Sequence, residues 1–342
     1  MNKPATIKDI AKQLNISVST VSRAMRNAPD VNNDTKKAVM ALAEELNYQP
    51  NRLALSLRQK QTHTIGVIVP NLDYVLSMMV RGIDEVALEA GYTVMVCQSN
   101  ESFGREIVNT RRLLESLVDG FIISVSSETK SFEHFKKIQE RDIPMIVFDR
   151  TTPHLTAPTV HLDNEEGGFM ATEHLLEQGY KRIAILAGPK NLGISNSRMD
   201  GYMNALKKYK IKPDPALMIH CDFNQDYAFF ATEELLAMKK RPDAIFTISD
   251  RMGIGASLAI KKKGLTMPDD IALVSFNNEP IVSLVTPGIS SVEMPSFEMG
   301  KAAAKLFIET MHHPEDMSGV ERIFKPKLFI RESSQKSLAK KL

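Results

Sequence analysis

The sequence predicts a small helix-turn-helix head followed by a large α/β body of two doubly wound parallel-sheet subdomains. Three observations carry this. Residues 1–48 hold three short stretches of helical periodicity and no strand-like run. From residue 64 onward, apolar β-branched runs alternate with longer amphipathic ones, the pattern of parallel strands covered on both faces by helices. Finally, 342 residues with eight such apolar runs exceed what one core and one sheet usually hold.

The head reads in order. Thr6 followed by Asp9 resembles a capping box, and Ile7, Ile10, Ala11 and Leu14 make one apolar face of a first helix. Asn15 and Ile16 form a tight connection. Ser17 caps a second helix, SVSTVSRAMR, with Val21 and Ala24 facing inward and Val18, Ser19, Ser22 and Arg23 outward. A loop containing Pro29 leads to a third helix, capped by Asn32 or Asn33, with Val39, Leu42, Ala43 and Leu46 on its inner side. Two short helices, a tight turn and a third helix suit either a plain three-helix bundle or a helix-turn-helix. Small polar side chains at the start of the second helix would let its backbone approach base edges. Arg23 could give a bidentate contact to guanine or hold a phosphate.

Charge favours the DNA-binding option. Residues 1–64 carry 10 Lys and Arg against 5 Asp and Glu, while the rest carry 33 against 36. A basic head on a slightly acidic body suggests that only the head meets a polyanion. Between them, residues 49–61 read as a marginal helix and linker. Pro50 ends the preceding helix, Asn51 is a fitting N-cap, and Leu53, Ala54 and Leu57 share one face beside Arg52, Arg58 and Lys60. Two turns of helix do not hold together alone in water, so this stretch needs a partner surface.

The body's strand candidates are residues 64–69, 93–98, 120–125, 144–149, 182–188, 217–221, 244–249 and 271–276. Helical stretches fall at 77–90, 107–117, 169–178, 225–238 and 252–263, with Gly91, Gly179 and Gly264 where helices should stop. Two subdomains of about 62–160 and 163–288 follow. A further helix spans 296–312, a strand lies near 324–330, and residues 333–342 form a polar tail. Ligands of doubly wound sheets sit past the C-terminal ends of strands. Those ends carry residues 71–74, Ser99 and Asn100, Ser124 and Ser126, Asp149 and Arg150, 191–198, Asp222 and Phe223, Ser249 and Asp250, and Asn277 and Asn278. This mixture suits a small polar ligand with hydroxyls or an anionic group, although each residue also suits a cap or turn.

Several classes of function find no support. There is no GxxxxGK[ST], no GxGxxG after a strand, no GxSxG and no HExxH, so neither an enzyme, a cofactor nor a metal is expected. Cys97 and Cys221 lie within apolar runs and read as reduced, buried thiols. No apolar run reaches membrane-spanning length and the N-terminus lacks a signal-like apolar stretch, so a cytoplasmic protein is expected.

TIKDIAKQLNISVSTVSRAMRN, then TKKAVMALAEELNYQPNRLALSLR, then TIGVIVP resembles the N-terminal signature of the lac repressor family of bacterial transcription regulators, across about the first 70 positions. The resemblance implies a body of periplasmic-binding-protein type, with three chain crossings between subdomains that share the C-terminal part. It implies that 17–26 is the recognition helix, and that Thr6, Ser17, Val18, Ser19, Thr20 and Arg23 meet double-stranded DNA. It further implies that 51–58 is a hinge helix entering the minor groove, with Asn51, Arg52, Ala54, Leu57 and Arg58 in contact. Leu57 takes the position of the family's wedging leucine. For the effector cleft it implies Tyr74, Ser126, Arg150, Asp163, Arg198, Phe223, Asp250 and Asn277, with Arg198, in SNSRMDGY, foremost.

One departure stands out. The family usually carries an aspartate after the late strand, where this chain has Asn277 in Ser275-Phe276-Asn277-Asn278. A neutral amide would leave Arg198 less neutralised and tilt the cleft toward an anion, such as a sugar phosphate. No leucine heptads end the chain, so a homodimer on a near-palindromic operator is expected, controlled by a sugar or sugar phosphate. The alternatives are control by a partner protein, or a ligand-binding protein without a regulatory role.

Overall fold

The structure is a computed structural model that describes residues 5–48, 61–313, 315 and 319–336. The chain divides into two compact units, Met1–Thr62 and His63–Leu342. Asn51, Arg52, Ala54, Leu57 and Arg58 lie outside the described residues.

The first unit holds helices α1 (Ile7–Gln13), α2 (Val18–Met25) and α3 (Asn33–Glu45). Ile10, Ala11, Val21, Ala24, Val31 and Val39 form its core, so the inward faces are those that the helical spacing predicts. All three helices end on an asparagine in the left-handed region, Asn15 (φ 54°), Asn27 (φ 54°) and Asn47 (φ 50°). After each, the next amide reaches back to a carbonyl five residues earlier, as Ile16 does to Ala11 at 3.0 Å. Asparagine tolerates this conformation better than other residues with a side chain, so three short turns replace longer loops.

The second unit is built on two six-stranded sheets. The first has the order β11-β5-β4-β3-β1-β2, from strands β1 (Thr64–Val69), β2 (Thr93–Gln98), β3 (Gly120–Ile123), β4 (Met145–Phe148), β5 (Thr159–Leu162) and β11 (Glu321–Phe324). The second has the order β12-β10-β9-β8-β6-β7, from β6 (Ile183–Ala187), β7 (Met218–His220), β8 (Ala244–Thr247), β9 (Ala272–Asn277), β10 (Ser290–Glu293) and β12 (Lys327–Phe329). Every pairing is parallel except β10 with β12. Helices α4 (Tyr74–Glu89), α5 (Phe103–Glu115) and α6 (Glu133–Gln139) accompany the first sheet. Helices α7 (Asn164–Glu177), α8 (Gly193–Lys208), α9 (Gln225–Ala237), α10 (Asp250–Lys262) and α11 (Ile281–Leu284) accompany the second. Helix α12 (Ser296–His312) returns to the first lobe, where it packs on α4 and on β3, β4 and β5. The chain therefore passes between lobes after Leu162, after Glu293 and between Phe324 and Lys327, and each sheet takes one late strand. No helix among the described residues is long and apolar enough to cross a membrane.

Four details depart from the sequence expectation. Residues 193–198, placed past a strand end and in none of the expected helical stretches, begin α8. Strands β5 and β10 and helix α6 are additional: β10 and α6 bury polar residues such as Ser290, Ser291 and His134, and β5 is four residues long with only Val160 and Leu162 buried. The single late strand near 324–330 is two strands, one in each sheet. Ser333 and Ser334 are fully buried, so the body extends past 332 and the polar tail starts later than expected. They are held by a serine network in which the Ser290 amide donates to Ser333 Oγ at 2.9 Å, and Ser290 and Ser334 Oγ lie 2.6 Å apart.

Candidate functional site

The C-terminal ends of both sheets face one cleft of about 600 Å³, open mouth included. The first lobe contributes Asn71, Asp73, Val75, Leu76, Asp149 and Arg150, and the second adds Ile194, Arg198, Phe223, Ser249, Arg251, Asn277, Glu279 and Met294. A volume in this range and a mixed polar and apolar lining suit a small molecule.

Arg198 is the centre of the site. It projects from α8 and is only 2% exposed. Its Nε donates to Asn164 Oδ1 at 2.9 Å and its Nη1 to the Ile248 carbonyl at 2.6 Å, while its guanidinium lies 3.6 Å from the centre of the Phe276 ring. Burial pushes its pKa down to about 9, and the charges of Asp149 and Asp250 oppose that fall, so it remains a cation at neutral pH. Helix α8 reaches this position because it packs closely on α7. A Cβ on Gly168 would collide with the Arg198 carbonyl. Only glycine permits that approach.

Arg150 is differently placed. Its Nη1 and Nη2 donate to Glu101 Oε2 and Oε1 at 2.7 and 2.8 Å, a bidentate ion pair, and Nη1 also reaches the Val125 carbonyl at 3.2 Å. Burial works to raise the Glu101 pKa, but the hydrogen bonds and charge of Arg150 outweigh it and hold the carboxyl below its ordinary value. Arg251 is paired with Asp73 at 2.8 Å. Burial raises Asp149, against the pull of Arg150 and Arg198. Asp149 and Asp250 are the acidic residues whose charge acts on Arg198, and burial raises the pKa of both. Asn277 itself has φ 111°, and the following Asn278 has φ 55°. Two successive left-handed residues turn the end of β9 across the cleft.

The structure brings Arg150, Arg198, Phe223 and Asn277 together in the lining. Ser126 stands behind it, fully packed, with its Oγ 2.6 Å from Ser99 Oγ and its amide donating to Glu106 Oε2 at 2.8 Å. Buried Glu106 also accepts from Thr129 Oγ1 at 2.7 Å and sits 3.0 Å from His134 Nε2, which fastens the loop after β3. Asp250 lies beneath the floor, bonded to Ser275, Ser291 and the Glu279 amide. Asp163 caps α7, pairs with Lys325 at 2.8 Å and lines a neighbouring hollow with Asp149 and Ser197. Tyr74 opens α4 with its ring half-exposed and outside the lining. The sequence reading missed Val75, Leu76, Arg251, Glu279 and Met294. Arg251 and Glu279 each lie one or two residues past a strand-end position already singled out, so following each strand end one turn further would have found them.

On the head, Thr6 forms the capping box with Asp9, its amide donating to Asp9 Oδ2 at 2.8 Å. Ser17 Oγ caps α2 by accepting from the Thr20 amide at 3.0 Å, and lies 2.7 Å from Ser19 Oγ and 2.8 Å from Thr20 Oγ1. Ser17, Val18, Ser19 and Arg23 are exposed on one side of α2, opposite buried Val21 and Ala24. This is the face that a second helix of a helix-turn-helix offers to a groove.

Known proteins share both units. The family described as "Bacterial regulatory proteins, lacI family" matches residues 6–51, and "Periplasmic binding proteins and sugar binding domain of LacI family" matches residues 62–332. The HTH-type transcriptional repressor CytR of Escherichia coli (strain K12) is 31% identical over 97% of this chain and 96% of its own length. The crystal structure of the lac repressor dimer bound to operator and the anti-inducer ONPF superposes with a TM-score of 0.88 at 25% identity, covering 98% of this chain and 100% of that one. The complex of the transcriptional regulator CelR with cellobiose does so with a TM-score of 0.71 at 27% identity, over 96% and 99%. The relatives are transcriptional repressors and regulators rather than enzymes. With its helix-turn-helix head and periplasmic-binding-protein-type body, the chain belongs to the LacI family, as a DNA-binding transcriptional repressor with an effector-binding domain.

Proposed function

We propose that this repressor acts in the cytoplasm as a homodimer, and that an uncharged, hydroxyl-rich small molecule such as a sugar, held in the cleft, controls its grip on a near-palindromic operator. The observation that carries the choice of ligand is the pairing of the cleft's arginines. Arg150 is held by Glu101, Arg251 by Asp73, and Arg198 feels the charge of Asp149 and has two of its donors already engaged. Among the described residues, each arginine of the cleft thus has an acidic neighbour to offset its charge. Asn277, Ser249 and Asn71 offer neutral donors and acceptors, and Phe223 offers an apolar face, which together suit a polyol. A neutral ligand therefore fits better than the sugar phosphate, and the cellobiose bound by CelR has this chemistry.

The homodimer reading is supported by exposed apolar side chains on both lobes. Leu88, Met95 and Val96 stand out on the first, and Tyr227, Phe230 and Leu284 on the second. Two heads would then read two half-sites. Residues 51–58, with Leu57 as the wedge, would form helix only where the paired linkers and the minor groove support them, so that a change in lobe angle alters DNA affinity.

The test is a thermal-shift screen of the full chain against neutral sugars, nucleosides and sugar phosphates, followed by operator binding with each hit. A neutral polyol at a hundredfold excess over its Kd should raise Tm by roughly 5 °C. A response confined to sugar phosphates overturns the charge argument. No response to any metabolite, with control by a bound protein, overturns the effector reading.

A further inference from the structure

Arg23 and Asp30 form a further arginine–carboxylate unit, on the head. Arg23 projects from the last turn of α2, and Asp30 stands in the loop leading to α3, both about half exposed. Arg23 Nε donates to Asp30 Oδ1 at 3.3 Å, and its Nη2 meets Asp30 Oδ2. Seven residues separate them, so this is no i, i+4 neighbour on one helix. The left-handed turn at Asn27 brings the loop back over the arginine. A guanidinium is a planar fork with five N–H donors. Asp30 occupies the Nε–Nη2 edge. The remaining Nη1–Nη2 edge carries two parallel N–H groups, the arrangement that matches O6 and N7 of guanine in the major groove.

We propose that Asp30 is a specificity-determining residue: it clamps one edge of Arg23 and commits the other edge to guanine. The proposal rests on the reading of α2 as the helix that meets base edges. Two physical effects follow from the clamp. It restricts a long, flexible side chain before DNA arrives, so less freedom is lost on binding. It also makes the arginine part of a neutral pair, which gains little from a phosphate, while the carboxylate repels the DNA backbone. The clamp thus favours base reading over sequence-independent attachment. An ion pair this exposed contributes little to stability, so holding the head together does not account for it.

The test selects binding sites from random duplexes with the full-length protein. Affinities are then measured for the selected site, its single-base variants and random DNA over a range of salt, for the wild type and for Arg23→Ala, Asp30→Ala and Asp30→Asn. Arg23→Ala should erase one guanine preference in each half-site. Asp30→Ala should weaken that same preference roughly tenfold. It should also strengthen binding to random DNA and steepen the salt dependence by about one unit per head, at unchanged melting temperature. Asp30→Asn keeps an acceptor oxygen without the charge, so it should recover part of the guanine preference but not the suppression of random-DNA binding. A purely structural role would not split the two. If Arg23→Ala erases the preference while Asp30→Ala changes neither preference nor random-DNA affinity, the pair is an incidental surface contact and the proposal fails. If Arg23→Ala leaves every base preference intact, the reading of α2 fails and the proposal falls with it.

Discussion

Arg251 Nη2 lies 2.8 Å from Asp73 Oδ1, across the mouth of the cleft. Asp73 precedes α4 in the first lobe, and Arg251 sits in the first turn of α10 in the second, so this pair joins the two lobes beside the ligand space. Asn191 donates to the Ser127 carbonyl as another link between them. Both charged partners are about half exposed, which limits the pair to roughly 0.2–1 kcal/mol. Arg251→Ala should therefore weaken effector binding only about two- to fivefold, mainly through faster release. Asp73→Ala should do the same, and the double variant no more than either. The wild-type advantage should shrink in high salt. Stopped-flow release rates would check this, and fully additive losses in the double variant would refute the link.

Arg198 should behave in the opposite way, with a large effect. Arg198→Ala removes the bonds to Asn164 and Ile248 and takes away one of the two cations that act on buried Asp149. The expected destabilisation is about 3 kcal/mol, read as a lower urea midpoint. The effector response should disappear while operator binding persists at temperatures where the variant is folded. Arg198→Lys keeps the charge but loses the planar fork and the stacking on Phe276, so it should rescue stability in part and effector binding hardly at all.

Much of this architecture is legible in the sequence, for identifiable reasons. Runs such as Thr64–Val69 and Ala244–Thr247 are strands buried between layers of helices, and their continuous apolar character says so. Strand β10 reads poorly because its first two residues are serines that satisfy their hydroxyls inside the protein, Ser291 on Asp250 and Ser290 within the Ser333–Ser334 network. The start of α8 looks like a loop because GISNS is poor in helix formers, and packing on α7 overrides that preference. In the cleft, strand ends announce Arg150, Arg198 and Asn277, but not their electrostatic state. Glu101 lies 49 residues from Arg150, and no periodicity links them.

Gly168 gives a backbone route to the same site. A methyl group there would strike the carbonyl of Arg198, with the Arg198 Cα only 3.0 Å away. Backbone cannot yield as a flexible side chain can, so Gly168→Ala must push α8 away from α7 and carry the guanidinium with it. A cost of about 1–3 kcal/mol is expected. Effector affinity should fall further than stability alone explains, because Arg198 loses its alignment with Ile248. A crystal structure or a Kd by calorimetry would decide, and unchanged affinity would show that the helix pair has slack.

Asp250 should make stability depend on pH. Its carboxyl is buried beneath the cleft, and burial pushes its pKa up from 3.8 to about 7 against the pull of Ser275, Ser291 and the Glu279 amide. In the unfolded chain the group ionises near 3.8; in the folded protein it holds its proton until about 7. Between those values the folded state binds the extra proton, so folding stability falls as pH rises through the window. Below about 4 and above about 7 this group adds no further slope, and the whole change amounts to a few kcal/mol at most. Buried Asp149 and Glu279, also raised by burial, act in the same direction, whereas His174, lowered by burial, acts against it near neutral pH. Asp250→Asn isolates the contribution because an amide does not titrate. Its urea midpoint should drop less than the wild type's between pH 5 and pH 7.5, so that any deficit at pH 5 narrows or reverses by pH 7.5. The Glu279 amide hangs on this carboxylate at 2.6 Å and its side chain lines the cleft, so effector affinity should follow the same pH window in the wild type and lose that dependence in the variant. Parallel curves for the two proteins would mean that Asp250 is ionised throughout, held so by its three hydrogen bonds.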